Sequence, residues 1–250
     1  MPTTRRSEPH ENEHRPAVSP VRDRARPSSA KARKREQEIY ELAAEIFHRK
    51  GYAATTLQDI AEAAGMLKGS LYYYIDSKED LLYRITMSIH EDAHANLLRA
   101  QAVDGAPVEK LRALIEGHVL SFGRRLTWIR VFYTEYGALS GERRQEIMDE
   151  RHGYERFVEN LIRQGQADGS FCPELDLRIV SNATLTLVNT VYLWYRPEAG
   201  TPIETVARTY ANFVIRGLRC APDHAHDGAG FDSSNARLLE PKPKKQTRQR

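Results

Sequence analysis

The chain has 250 residues, 40% of them hydrophobic and 28% charged, with 37 Lys+Arg against 34 Asp+Glu and two cysteines. That balance describes a soluble chain able to bury a core, and it excludes collagen-like, disulfide-stapled and wholly disordered classes. The net charge of +3 is unevenly placed: residues 1–35 hold 10 basic against 4 acidic side chains and residues 221–250 hold 6 against 4, leaving 36–220 mildly acidic.

Both terminal stretches are rich in Pro, Ser, Gly and charge and poor in aromatic residues. This predicts a disordered basic arm over 1–35 and a disordered basic tail over 221–250. Basic arms beside a folded module raise affinity for nucleic acid by counterion release, and the run from Arg22 to Arg35 is placed for that; plain solubilising tails are the alternative. The N-terminal run MPTTRRSEPHENEHRPAV lacks the apolar segment of a signal peptide, so Cys172 and Cys220 are expected to be reduced thiols of a cytoplasmic protein. The longest uncharged stretch of the body, Ile179 to Tyr195, has 17 residues and is broken by Ser181, Asn182 and Asn189. It is too short and too polar for a bilayer span.

Helical periodicity dominates the body. Ile39, Leu42, Ala43, Ile46 and Phe47 form one apolar stripe that ends at Gly51. Thr56 with Asp59 three residues on reads as a capping box, opening a short helix through Leu57, Ile60, Ala61 and Ala64 that stops at Gly65. A second short piece spans Lys68 to Tyr74, and Ser77 with Asp80 starts a long helix through Leu97. Beyond Asp104-Gly105-Ala106-Pro107 the pattern predicts helices at about 108–125, 128–138, 141–168, 175–195 and 202–219. The last opens on Thr201 as cap with Pro202 in the first helical position. The fold class is all-α.

Residues 55–82, TTLQDIAEAAGMLKGSLYYYIDSKEDLL, place two short helices either side of a tight turn, the spacing of a helix-turn-helix. Ala61 and Ala64 are small enough for close helix crossing, and Gly65 supplies the backbone freedom of the turn. Gly69 leaves room for close approach to DNA. Thr56 and Ser77-Lys78 stand at helix N-termini, where free N–H groups suit phosphate.

This segment closely resembles the DNA-binding domain of the TetR/AcrR family of bacterial transcriptional regulators over residues 39–83. The match rests on Gly51-Tyr52, Thr55-Thr56, Ile60-Ala61, Ala64-Gly65, Gly69, Leu71-Tyr72-Tyr73, Lys78-Glu79 and Leu81-Leu82. The chain departs from the family pattern at Ile75, where Phe is usual, and at Met66-Leu67, where Val-Ser is frequent. The resemblance implies a three-helix DNA-binding domain over 36–83 and a ligand-binding and dimerisation bundle over 84–220. It implies that Lys68, Gly69 and Ser70 face base edges, and that Tyr72 or Tyr73, Tyr74, Thr56 and Lys78 hold phosphates. Core burial is the alternative for Tyr72. Residues 39–83 carry 4 basic against 7 acidic side chains, so placed contacts and the basic arm must carry affinity for double-stranded operator DNA.

His90-Glu91-Asp92-Ala93-His94 matches the zinc-hydrolase pattern H-E-x-x-H, with both histidines on one helical face. Catalysis would also need a third ligand and a substrate cleft, and a solvated helical face is the reading preferred over a metal site. His224 and His226 lie in the tail. No nucleophile elbow, phosphate loop or dinucleotide fingerprint is present, so neither enzyme activity nor a cofactor is expected.

The nearly charge-free helix 175–195 and the apolar face of Val206, Tyr210, Phe213, Val214 and Leu218 suit a symmetric four-helix dimer contact. A homodimer also fits a palindromic operator. Polar-tipped aromatics recur on three helices, and from them Trp128, Phe132, Tyr136, Phe157, Asn189, Tyr192, Trp194 and Arg196 are taken as candidate pocket residues, with a well-filled core as the alternative. LWYRPEAGTPIE (193–204), DGSFCPELDLRIV (168–180) and FYTEYGALS (132–140) resemble a TetR branch that responds to acyl-CoA thioesters in lipid and steroid catabolism. That branch can carry Arg and Trp where this chain has Leu185 and Asn189. The expected protein is a ligand-released repressor, with an acyl-CoA or small hydrophobic effector. Arg196 or the arginines of 143–163 would pair the phosphates. An architectural DNA binder and a zinc hydrolase are its rivals.

Overall fold

Nine α-helices and two 3-10 turns make up the regular structure of residues 29–220, the part of the chain that the computed structural model describes. The predicted basic tail, most of the basic arm, and His224 and His226 lie outside the described residues. Helix α1 (Ala30–Lys50) begins nine residues before the stripe that announced it, because Ser29 accepts the Ala32 N–H and caps it. Lys31, Arg33, Lys34 and Arg35, expected in a disordered arm, are therefore helical. No apolar stripe marks that stretch, so periodicity could not detect it. Arg35 explains part of its order, reaching the Ala64 carbonyl at the far end of the next helix and pairing with Glu38 at 2.8 Å.

Helices α2 (Leu57–Ala63) and α3 (Lys68–Leu71) pack on α1 around Ile39, Ala43, Phe47, Ile60, Ala61 and Leu71. Gly65 sits at φ 62° in the turn between α2 and α3, a conformation in which any side chain is strained. The Thr56 capping box is complete: its Oγ1 accepts from Asp59 N–H, and Asp59 accepts the Thr56 N–H at 2.7 Å. Helix α4 (Lys78–Gln101) starts on the Ser77 cap, and its 24 residues extend about 36 Å.

The remaining helices form a bundle with α4 in which α5 is central: α5 (Pro107–Glu135), α6 (Gly141–Ala167), α7 (Leu177–Asn189), α8 (Val191–Trp194) and α9 (Ile203–Leu218). The two helices expected at 108–125 and 128–138 are joined into α5, with the expected break surviving as a kink at non-helical Arg125. The single helix expected at 175–195 is divided at Thr190. Pro202 itself caps α9, one residue later than expected, and Thr201 makes no cap bond.

The kink in α5 divides the core. Its first half packs with α6, α7 and α9 in one cluster, while Trp128, Val131 and Phe132 beyond the kink join the cluster built on α1, α2 and α4. Both cysteines are free thiols, Cys172 buried and Cys220 exposed. Among the described residues no helix is long and apolar enough to cross a membrane.

At the end of α6, Gly165 lies against the fully buried Phe171 ring, which a Cβ at that glycine would approach to 2.1 Å. Gly165→Ala is expected to destabilise the bundle by about 1–3 kcal/mol through overpacking, seen as a lower urea midpoint. An unchanged midpoint would mean that the 168–172 loop yields freely.

Candidate DNA interface and effector cavity

Lys68, Gly69 and Ser70, the first residues of α3, are all exposed. They project from a helix held from behind by buried Leu71 and Ile75. Tyr72 is 39% exposed and Tyr73 63% exposed, so neither is a core residue. Tyr74 is half-buried against the module's core, its ring edge-on to Tyr73 at 5.0 Å. Thr56 is exposed, but both sides of its hydroxyl serve Asp59. Burial reveals one residue that the motif reading passed over: Leu67, which caps α3, is 80% exposed. An apolar side chain there can meet a thymine methyl in the major groove.

Lys78 is placed differently from expectation. Its Nζ donates to the carbonyls of Tyr52 at 2.8 Å, Ala53 at 3.3 Å and Thr55 at 2.8 Å, and stands 4.3 Å from the Tyr52 ring centroid. Three donors meet three acceptors, which leaves none for a phosphate. The residue latches the start of α4 to the loop that presents α2. Two positions on, buried Asp80 accepts from Arg84 at 2.9 Å and Arg143 at 3.0 Å, tying α4 to α6. Glu79 accepts from the Ser140 N–H and hydroxyl at 3.0 and 2.9 Å, a second tie to the same end of α6.

Midway along α4 the bundle holds a partly open cavity of two lobes that share Ile89, Ala93, His118 and Tyr133. The larger has a volume of about 70 Å³, the scale of a few water molecules. Of the candidate pocket residues, Phe132 and Asn189 line it. Tyr192 stands behind the wall, stacked at 4.6 Å on Tyr133, and the Tyr136 ring lies tilted against Phe132 at 5.7 Å. Phe157 packs at the margin of the bundle core. The other three are elsewhere. Trp128 is buried in the core shared with α1, under the Arg125 guanidinium at 4.3 Å. Trp194 is exposed and donates to the Tyr210 hydroxyl, and exposed Arg196 donates to its own chain at Leu193 and Tyr195. The kink at Arg125 and the break at Thr190 rotate these side chains away, and neither turn of the backbone can be read from aromatic spacing.

The sequence reading missed much of the polar wall, Asn96, His118, Ser121 and Arg125, while Arg151, among the arginines of 143–163, does line it. No local motif marks them, because α4, α5 and α6 meet only in the fold. His90 was also misplaced. It is 8% exposed, edge-on to Phe132 at 5.1 Å, while His94 is exposed, so the two do not share a solvated face. Among the described residues no group of three or more His, Cys, Asp or Glu side chains is arranged to hold a metal. Burial, helped by the Arg151 charge, pushes His90 down to about 4. Burial also pushes His118 down to about 4, partly offset by Asn189.

An exposed recognition helix, braced on a three-helix module and joined through one long helix to a bundle with an internal cavity, defines a helix-turn-helix regulator of transcription. Residues 39–85 match the family described as bacterial regulatory proteins, tetR family, and residues 104–218 match the tetracyclin repressor-like C-terminal domain. The transcriptional repressor KstR2 of Mycolicibacterium smegmatis is 28% identical over 193 residues, 77% of this chain and 94% of its own. The solved structure of the TetR-family regulator PfmR from Thermus thermophilus is 33% identical with a TM-score of 0.67, over 73% of this chain and 99% of that one. That of AibR in complex with isovaleryl coenzyme A and operator DNA is 29% identical with a TM-score of 0.65, over 72% and 97%. The chain belongs to the TetR family of bacterial transcriptional regulators.

Because its ammonium is spent on carbonyls, Lys78→Ala is expected to weaken operator binding by loosening the 52–55 loop while leaving dimerisation and the salt dependence unchanged. Anisotropy titrations at several salt concentrations check this. A slope of log K against log salt that falls by about 0.9 would instead mark a lost phosphate contact. The two histidines give a pH prediction. Their folded pKa values lie below the unfolded 6.5, so the unfolded chain binds more protons between about pH 4 and 6.5. Their contribution is complete above 6.5 and is lost as pH falls toward 4, at most about 3 kcal/mol each. Urea midpoints from pH 7.5 to 4.5 should fall less steeply in His90→Gln and His118→Gln than in the parent; parallel curves would refute the assignment.

Proposed function

We propose that the protein is a homodimeric repressor, released from a palindromic operator when a small hydrophobic or acyl-CoA effector enters the bundle. The observation that carries this reading is the path of α4. The helix is fixed to the DNA-binding module at Lys78 and to α6 at Asp80, and farther along it supplies Ile89, His90 and Ala93 to the cavity wall. A cavity of about 70 Å³ cannot take an acyl chain without its walls parting. An effector therefore binds the parted bundle better than the closed one, and that difference is the coupling free energy of release.

Two copies are needed to read two half-sites about one DNA turn apart. The face of α7 and α9 supports the pairing: Ile179 and Phe213 are 66% and 68% exposed, beside a groove lined by Val180, Ala183, Leu187 and Val214. On the DNA side, Lys68, Gly69, Ser70 and Leu67 approach base edges while the Tyr73 hydroxyl takes a phosphate. For an acyl-CoA, a second groove between α6 and α7 meets the cavity at Glu155 and Leu185 and presents His152, Arg156 and Arg178. Those arginines, rather than Arg196, suit the nucleotide phosphates. AibR, solved with isovaleryl coenzyme A and operator DNA, offers the parallel.

The test is fluorescence anisotropy on a duplex from upstream of the protein's own gene, with a scrambled duplex as control and a panel of acyl-CoAs added. Specific binding released by one thioester is the expected result. Specific binding that no thioester or hydrophobic compound disturbs would overturn the effector assignment, and equal binding to both duplexes, if it persists after genome-wide site selection, would overturn the repressor.

A further inference from the structure

Two buried imidazole nitrogens, His90 Nε2 and His118 Nε2, find no hydrogen-bond partner in the protein. Both residues line the larger lobe of the cavity. The His118 ring is fixed from its other side, where Nδ1 lies 3.2 Å from the Tyr154 hydroxyl. A phenol is a strong donor, and the bare nitrogen of a neutral imidazole is a strong acceptor. Tyr154 accordingly donates to Nδ1, and the ring proton stands on Nε2. Asn96 acts on Tyr154 from the same wall, its amide donating to the Leu114 carbonyl at 2.8 Å. Asn189 influences the His118 ring from the same wall without closing a hydrogen bond to Nε2.

The cavity wall thus carries a buried imidazole nitrogen with no hydrogen-bond partner, which the Tyr154 contact assigns as an N–H donor. Its charges cancel in pairs: Arg125 with Asp92 at 3.1 Å in one lobe, Arg151 with Glu155 at 3.9 Å in the other. A site with a spare donor and no net charge selects a neutral acceptor. We propose that His118 Nε2–H receives the carbonyl oxygen of the effector, so that the regulator answers to thioesters, esters or ketones and not to the same skeletons without that oxygen. This rests on the effector-responsive reading above only where DNA release is the readout.

The donor is tested without any ligand. Imidazole ¹⁵N correlation spectra of the full chain, with His118 assigned by its loss in His118→Phe, should place the proton on Nε2; a proton on Nδ1 overturns the proposal. Isovaleryl-CoA is then compared with its thioether analogue, in which CH₂ replaces the carbonyl. The thioester should release DNA at about tenfold to hundredfold lower concentration, and equal potency overturns the proposal. His118→Phe should keep its DNA affinity and lose that difference. Tyr154→Phe, which retains the ring of His118 but frees its tautomer, should reduce it. If neither CoA compound binds, the acyl-CoA reading fails by itself, and the ketone 4-methyl-2-pentanone decides this one. It should shift the His118 Nε2 resonance where the matching hydrocarbon does not, and no shift with the ketone overturns the assignment.

Discussion

The carbonyls of Tyr52, Ala53 and Thr55 converge on the single ammonium of Lys78, and two residues further along the same helix Asp80 lies buried between two guanidinium groups. Removing one partner from a buried ion pair leaves an uncompensated charge at a cost of about 3–5 kcal/mol. The start of α4 therefore cannot drift from the α1–α2 loop or from α6 without a large penalty. The rest of the architecture depends on this restraint, because it turns a helix of 24 residues into a lever with one end fixed in the DNA-binding module. In the proposed release, movement of the cavity wall near His90 would reach the recognition helix through this junction.

The bundle differs in how its polar groups are satisfied. Around the cavity the packing is interrupted by polar side chains that satisfy one another imperfectly: two neutral histidines with an unpaired nitrogen each, and charge pairs at the margin. Each unpaired group lowers the stability of the closed arrangement and favours an occupant that pairs it. The DNA-binding module is tightly satisfied by contrast, with the starts of α2 and α4 both capped and the loop carbonyls engaged by Lys78. A well-satisfied reading head joined to a bundle with unpaired polar groups suits the proposed release by an effector.

How much of this was legible in the chain depends on the range of the interaction. The caps at Thr56 and Ser77, the glycine turn at Gly65 and the apolar stripes act over three to eight residues, and each appears where the spacing put it. The start of α1 was misread because Ala30 to Glu38 has no apolar periodicity and owes its order to a cap and to a distant contact from Arg35. Lys78 was read as a phosphate ligand because a lysine at a helix N-terminus suits that role. Only the folded loop shows that its acceptors are already in place.

An all-α chain with a helix-turn-helix at 39–83 and a second helical region follows from the order of residues with no coordinates at all, since hydrophobic period, capping and turn chemistry are local and survive in any context. The residues that lead the recognition helix are legible in the same way, because the motif fixes their order along one short segment. The surroundings of the cavity are not. His90, His118, Arg125, Tyr154 and Asn189 come from four helices, and their meeting depends on a kink at Arg125 and a break at Thr190 that rotate whole faces. Directions of that kind follow from packing summed over the bundle, and no window of neighbouring residues contains them.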